Sequence, residues 1–215
     1  YIEEGRTQVV VHDWTKIDKT NENSFHFDTT YFIPREYFME IKGKKILVTG
    51  GAGFIGHNVV RLLEQQGHEC IVIDTCSDYG FIPKEELTYL VDNRLKRIKS
   101  RIRKIDIREG TFVDTIFKTY EPDVVIHMAS FPRQKVVEQN PVLASDVMSN
   151  GLINLLEKSK KYSVKKFVYI SSSMVYGDFT ADVLEAHPCK PQGQYGIMKL
   201  MGEKLVEDYH RLGAF

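Results

Sequence analysis

From Gly43 onward, short apolar runs alternate with longer segments whose apolar residues recur at helical spacing. The runs Lys45–Thr49 (KILVT), Cys70–Ile73 (CIVI), Arg103–Ile107, Asp123–Met128 (DVVIHM) and Lys166–Ser171 (KFVYIS) predict five strands. Asp74 closes the second and Pro122 precedes the fourth. Between them, helices are predicted over Phe54–Gln66, ending at Gly67, and over Lys84–Arg101, a charged insertion with leucines and isoleucines at helical spacing. Further helices are predicted over Gly110–Tyr120, Pro141–Lys160 and Tyr195–Leu212; the long one has an apolar face of Leu143, Val147, Leu152, Leu155 and Leu156. Strands alternating with helices and joined by right-handed crossovers predict an α/β fold, a doubly wound parallel sheet.

Residues 1–42 break this rhythm. Val9–His12 reads as a strand, and Phe25–Ile33 is rich in aromatics with alternating polarity. The segment is expected to be an accessory piece of unknown role packed outside the sheet, or else the tail of a preceding domain. The start at Tyr1 without Met, and the stop at Phe215 just after a helix, are what an incomplete chain would show.

Composition narrows the function classes. The 215 residues suffice for one sizeable core, with 42% hydrophobic and 27% charged residues, an ordinary globular balance. Lys plus Arg equals Asp plus Glu at 29 each, so no net field favours nucleic acid or an anionic membrane. The longest apolar stretches, near Val124–Ile126 and Phe167–Ile170, are strand-sized and far short of a membrane span. No signal peptide begins the chain, and Cys70, Cys76 and Cys189 show neither metal-ligand spacing nor a disulfide framework. No metal site is expected, and the expected compartment is a reducing cytoplasm.

The most specific motif is Thr49-Gly50-Gly51-Ala52-Gly53-Phe54-Ile55-Gly56, set directly between a predicted strand and helix. Gly50 permits a tight turn, Gly53 lets the backbone approach a pyrophosphate, and Gly56 allows close helix–strand packing. The N–H groups of the turn and the helix N-terminus, which includes Phe54 and Ile55, then hold the phosphates. Asp74, ending the next strand, can accept hydrogen bonds from both ribose hydroxyls and would repel a 2′-phosphate. No Arg lies in Thr75–Tyr79 to offset it, so NAD is expected rather than NADP.

With GxxGxxG spacing and the wording TGGAGFIG, the chain resembles the extended short-chain dehydrogenases, specifically the NAD-dependent nucleotide-sugar epimerase/dehydratase family, with a Rossmann-type fold. The resemblance runs over Gly43–Phe215 and implies an NAD-binding domain that also carries the catalytic residues. It implies that Asp106 and Ile107 contact the adenine, and that the segment His127-Met128-Ala129-Ser130 runs beside the nicotinamide ribose, with Met128, Ala129 and Ser130 at the cofactor. His127 itself is expected to be a buried structural histidine. Against that pattern, the C-terminal substrate domain, which holds most of the family's nucleotide-sugar contacts, and the last parallel strand are expected to lie beyond Phe215.

Two further segments complete the match. Tyr195-Gly196-Ile197-Met198-Lys199 gives YxxxK, and its i, i+4 spacing puts phenol and ammonium on one helical face. A phenol is a poor base at neutral pH, but the Lys199 ammonium and a positive nicotinamide ring both favour the phenolate. Tyr195 is then the expected catalytic base for a sugar hydroxyl, and Lys199 also holds the nicotinamide ribose. Counting back from Val175-Tyr176-Gly177, the family's catalytic Ser/Thr falls on Ser172, between Ser171 and Ser173. Its hydroxyl would orient the substrate oxygen and stabilise developing charge.

In the family, 4,6-dehydratases carry Asp-Glu just after the Ser/Thr, and UDP-glucuronate decarboxylases keep a Glu. Here those positions are Ser173 and Met174, which disfavours elimination. The resemblance therefore implies a UDP-hexose 4-epimerase-like isomerase using reversible hydride transfer through a 4-keto sugar. A dehydratase or a reductase/dehydrogenase of the same family is the alternative, and a non-catalytic NAD-binding subunit is the alternative of another class. The intact Tyr195/Lys199 pair argues against the last. The chain departs from the family pattern at Val147 and Met148, where an Asn is usual and Asn150 lies nearby, and at Pro132, where a Lys is usual and Arg133 follows. Cys189 is read as a spectator. The family further implies a homodimer through Pro141–Lys160 and Tyr195–Leu212.

Overall fold

The computed structural model describes residues 43–215 apart from 78, 81, 132–133 and 179–182. The strand expected at Val9–His12, the aromatic-rich stretch Phe25–Ile33, the whole segment 1–42, and the family departures at Pro132 and Arg133 lie outside the described residues.

The elements run β1 (Lys45–Thr49), α1 (Gly56–Gln65), β2 (Glu69–Asp74), α2 (Lys84–Leu95), β3 (Ile102–Lys104), α3 (Gly110–Tyr120) and β4 (Val124–His127). They continue as α4 (Gln134–Gln139), α5 (Pro141–Ser145), a π-helical turn (Asp146–Asn150), α6 (Gly151–Lys161), β5 (Lys166–Tyr169), a 3-10 turn (Ser173–Tyr176) and α7 (Gly193–Arg211). All five strands are parallel, in the order β3-β2-β1-β4-β5. This is the Rossmann-type doubly wound sheet. The register sets Thr49 level with Ile73 and His127, and His127 level with Tyr169, so the ends of four strands form one rim.

Successive strand side chains point to opposite faces, which divides the core in two. One face carries Leu47, Ile71, Ile73, Val125, Phe167 and Tyr169 against Phe117 of α3, Leu152, Leu155 and Leu156 of α6, and Val206 of α7. The other carries Ile46, Val48, Val72, Val124 and Ile126 against Val60 and Leu63 of α1. Among the described residues, no helix is long and apolar enough to cross a membrane.

Three elements differ from their sequence expectations. The helix expected over Lys84–Arg101 ends at Leu95, because the Glu64 carboxylate of α1 accepts the N–H groups of Lys99 at 2.8 Å and Ser100 at 2.6 Å and draws the chain out of the helix. The third strand is short and earlier than expected: Asp106 turns back to accept the Arg108 N–H at 2.9 Å, so Asp106 and Ile107 lie in a loop beyond it. The helix expected over Pro141–Lys160 is α5, a π-helical turn and α6, with α4 before it. Within that turn Asn150 Nδ2 donates to Asp146 Oδ1 at 2.6 Å, and Val147 and Met148 are both buried.

Candidate active site

The turn after β1 is held by main-chain bonds from Gly50 N to Ile73 O (2.9 Å) and from Gly53 N to Gly50 O (3.1 Å). Gly50 has φ +73°, and a Cβ there would fall 2.6 Å from Ala129 N, so the turn both needs the left-handed backbone and lies against the chain leaving β4. At Gly56 a Cβ would fall 2.1 Å from Gly50 O, which is the close helix-to-turn contact the motif implies. A Cβ on Gly53 would meet only Gly50 O, at 3.0 Å. No side chain caps α1 at Ile55 and no acidic residue lies in its first turn, so its N-terminus suits an anion. Phe54 and Ile55 are exposed beside it.

Asp74 closes β2 with both carboxylate oxygens engaged, accepting Ala52 N at 2.9 Å and Cys76 N at 2.7 Å. Burial pushes this carboxyl up, while the two N–H bonds and the nearby Arg94 guanidinium pull it down. Arg94 comes from α2, and its Nη1 donates to Ala52 O at 3.3 Å. Thr75–Tyr79 holds no arginine; the fold brings one instead from a helix that follows.

The loop after β3 is tightly supported. Arg108 binds both oxygens of Asp106, its Nη2 at 2.7 Å from Oδ2, and reaches Asp146 at 2.9 Å. These contacts hold the Asp106 carboxyl below the usual carboxylate range. Asn154 Nδ2 donates to Ile107 O at 3.1 Å and to Arg108 O at 2.9 Å. A Cβ at Gly151 would fall 2.6 Å from the Ile107 side chain, so α6 packs directly onto this loop. Sequence motifs miss Asn154 and Gly151, because nothing local marks a helix residue as the support of a loop far upstream.

At the end of β4, the Thr49 hydroxyl accepts the N–H groups of Met128 at 3.2 Å and Ala129 at 3.1 Å. Its own hydrogen then goes to His127 Nδ1, 2.7 Å away. His127 is fully enclosed, and burial pushes its imidazole down to about 3, so it stays neutral and structural, as its position suggested. The Ser130 hydroxyl is buried without a hydrogen-bond partner among the described residues.

Beyond β5, Ser172 is extended (φ −155°), its Oγ accepts Met174 N at 3.2 Å, and its hydroxyl lies near enough to the Tyr195 phenol to favour the phenolate. Tyr195 and Lys199 share one face of the first turns of α7. Lys199 Nζ donates to Ile170 O at 2.8 Å and sits 5.1 Å from the Tyr169 ring centroid and 5.9 Å from that of Tyr195. Burial pushes the Lys199 ammonium down to about 8. The help expected for the phenolate from Lys199 and a positive nicotinamide ring together concerns the site with its cofactor bound. Burial raises Tyr195, and the neighbouring Ser172 hydroxyl pulls in the other direction without cancelling it.

A single cleft of about 660 Å³ is lined by Gly50, Gly53–Gly56, Asp74, Asp106, Ile107, Met128–Ser130, Ser172, Tyr195 and Lys199. Every residue expected at the site from sequence is brought together there. Val147 also lines the cleft, whereas Met148 is in the core and Asn150 faces away, bonded to Asp146. Cys189 is exposed and is not among the lining residues. A carboxylate that the motifs do not include, Glu203, is buried one turn beyond Lys199 and accepts a short hydrogen bond from Ser171. Its i+4 spacing from Lys199 was the available signal.

The residues fit a dinucleotide. The glycine turn leaves no room for a Cβ at Gly50 or Gly56, the α1 terminus lacks an internal anion, and the Ser130 hydroxyl has no partner among the described residues. Open α/β sheets bind ligands where strand order reverses, here between β1 and β4.

Residues 46–215 match the Epimerase profile, described as the NAD dependent epimerase/dehydratase family. The chain belongs to that family, whose cofactor is NAD. Similar proteins include the bifunctional protein GAL10 of Kluyveromyces lactis, 37% identical over 175 residues covering 78% of this chain and 24% of that protein. The UDP-glucose 4-epimerase of Bacillus subtilis is 36% identical over 173 residues, covering 77% of this chain and 48% of the relative. Among solved structures, the UDP-glucose 4-epimerase of Thermotoga maritima with UDP-glucose aligns with TM-score 0.65 and 32% identity over 78% of this chain and 51% of that one. The UDP-glucose 4-epimerase of Thermus thermophilus in complex with NAD aligns with TM-score 0.66 and 29% identity, with the same coverage. The chain thus spans about half the length of these epimerases, and a quarter of the bifunctional protein.

Proposed function

We propose that this protein is an NAD-dependent UDP-hexose 4-epimerase, with residues 43–215 as its cofactor-binding and catalytic unit. The observation that carries this reading is the Ser172–Tyr195–Lys199 constellation at the β5 end of the cleft, with Ser173 and Met174 in place of carboxylates. Epimerisation needs proton transfer at one hydroxyl and no acid or base on carbon, which is what these side chains offer. The similarity to UDP-glucose 4-epimerases supports the substrate class.

In this reading the glycine turn and the α1 N-terminus take the pyrophosphate, Asp74 the adenosine ribose, and Asp106 and Ile107 the adenine. Met128, Ala129 and Ser130 lie beside the nicotinamide ribose, which Lys199 also holds. When bound, NAD supplies the hydride acceptor and donor, together with a positive ring whose charge favours the Tyr195 phenolate. Tyr195 removes the proton from the sugar hydroxyl and later returns it. Ser172 holds that oxygen from its other side and steadies the charge that develops on it. Burial of Lys199 keeps water away from its ammonium, so its hydrogen bonds are directed and strong.

A homodimer through α5–α6 and α7 belongs to the same reading; Val142 and Ile197 are exposed on those helices. Sedimentation equilibrium reads the mass directly.

The deciding experiment denatures the purified protein, identifies any released nucleotide by mass, and assays conversion of UDP-galactose to UDP-glucose. Stoichiometric NAD or NADH with redox-neutral interconversion is the expected result. Net production of NADH would move the assignment to a dehydrogenase, loss of water from the sugar to a dehydratase, and NAD without turnover to a non-catalytic subunit.

A further inference from the structure

Glu203 has no place in the chemistry above, yet it is among the few buried charged side chains described, 7% exposed. The Ser171 hydroxyl, itself 5% exposed, donates a short hydrogen bond to its Oε1. Ser171 stands between Ile170, whose carbonyl holds Lys199 Nζ at 2.8 Å, and Ser172, which meets Tyr195. Glu203 and Lys199 are one turn apart on α7, and the carboxylate favours the lysine's charged form. One side chain thus touches the strand end that presents Ser172 and stands one helical turn from Lys199. A Cβ at Gly202, beside it, would fall 2.3 Å from the Tyr169 hydroxyl, so α7 lies hard against β5 and the arrangement has little freedom to shift.

We propose that Glu203 is a positioning residue for the Ser172–Tyr195–Lys199 site. It fixes the Ile170–Ser172 backbone through Ser171 and keeps Lys199 protonated while buried. The alternative role, a buried carboxylate that only glues α7 to β5, accounts for the Ser171 bond but not for its position beside Lys199. Burying a charge without a partner is costly, and an opposite charge one helical turn away, also buried, relieves part of that cost. Other groups face the pair. Lys199 is faced by Tyr195 on its own helix, by Tyr169 of β5 and by His127 of β4, all neutral in their resting forms. Glu203 is faced by Lys204 and Glu207 on its own helix, and by Tyr169, Tyr176 and Cys189 from β5 and the segment beyond it. Of all these, Glu203 is the charged group that acts on Lys199.

The proposal rests on the catalytic assignment of Lys199 for its consequence in turnover, but its physical core is tested without turnover. The Lys199 midpoint is read by 13C NMR of protein labelled at lysine Cε, the signal being assigned by its loss in Lys199→Arg. Glu203→Gln is expected to lower that midpoint from about 8 by roughly one pH unit, and kcat by about tenfold with KM little changed. Ser171→Ala removes the donor that favours the Glu203 anion, and should move the midpoint the same way by less; it serves alone if Glu203→Gln does not fold. An unmoved midpoint in a folded variant overturns the proposal, whatever happens to kcat. Native protein with no epimerase activity would instead count against the proposed function, and leave the NMR result to decide Glu203.

Discussion

The hydroxyl of Thr49 lies 2.7 Å from His127 Nδ1, joining the last residue of β1 to the last residue of β4 across the point where strand order reverses. The same oxygen accepts the next two N–H groups of the β4 chain, so one side chain sets the mouth of the cleft beside the glycine turn. Thr49→Val keeps the shape and removes the hydroxyl. Met128 N–H keeps its bond to the Thr49 carbonyl at 3.1 Å, but the partly buried Ala129 N–H and the His127 ring nitrogen lose their partner, at a cost of about 1–3 kcal/mol for each group left unsatisfied. Chemical denaturation should show a lower midpoint with an unchanged slope. Unaltered stability would mean that water or a local shift replaces the hydroxyl.

Gly50→Ala imposes a side chain on a left-handed backbone and drives it to 2.6 Å from Ala129 N. The strain is about 1–3 kcal/mol, and the turn must open to relieve it. Isothermal titration with NAD should therefore show binding weakened at least tenfold. Gly67→Ala, also at positive φ (+86°) but with open space around it, should cost stability without touching NAD affinity.

Asn154→Leu removes both hydrogen bonds to the carbonyls of Ile107 and Arg108. If that loop holds the adenine, the Kd for NAD should rise on the order of tenfold while kcat at saturating NAD stays near native. A fall in kcat at full saturation would place the effect elsewhere.

Tyr195→Phe deletes the proposed proton carrier and keeps the ring. Turnover should fall by roughly 10²–10⁴ with NAD binding retained, as general acid–base contributions of this kind are worth. Ser172→Ala should lower kcat by less, and the phenol, losing a neighbouring hydroxyl that favours its anion, should titrate higher when followed by ultraviolet difference spectra.

Lys199 predicts a pH dependence of folding. Burial lowers its folded value to about 8 from an ordinary 10.5, so between those values the unfolded chain binds more protons and stability rises with pH. Below about pH 8 the enclosed ammonium costs on the order of 3 kcal/mol. Relative to native, Lys199→Met should therefore do best near pH 7, and that advantage should shrink as pH rises towards 10, on top of a pH-independent loss from the Glu203 carboxylate it leaves without an opposite charge. An advantage constant across that range would show that the lysine does not titrate as its burial implies.

The sheet was legible in the sequence because its signals are local. Four of the five strands are short apolar runs, β1, β2 and β4 with Gly, Pro or Asp beside them, and the glycine motif falls between a strand and a helix, where its chemistry requires it. Most candidate site residues were legible for the same reason, since they end or follow strands and a parallel sheet gathers strand ends on one rim, while Tyr195 and Lys199 were legible from their YxxxK spacing on one helix. What the chain by itself could not state were relationships set by packing. The early end of α2 depends on a carboxylate from α1, the short β3 on an aspartate turning back, and the π-helical turn on contacts with a distant loop. Arg94 reaches Asp74, Asn154 supports the Asp106–Ile107 loop, and Glu203 lies beneath Ser171, all from helices far along the chain. Local patterning thus determined which elements form and in what order. Tertiary packing decided where helices stop, which side chains meet, and which charges are enclosed, because those depend on volume and desolvation that no single segment carries.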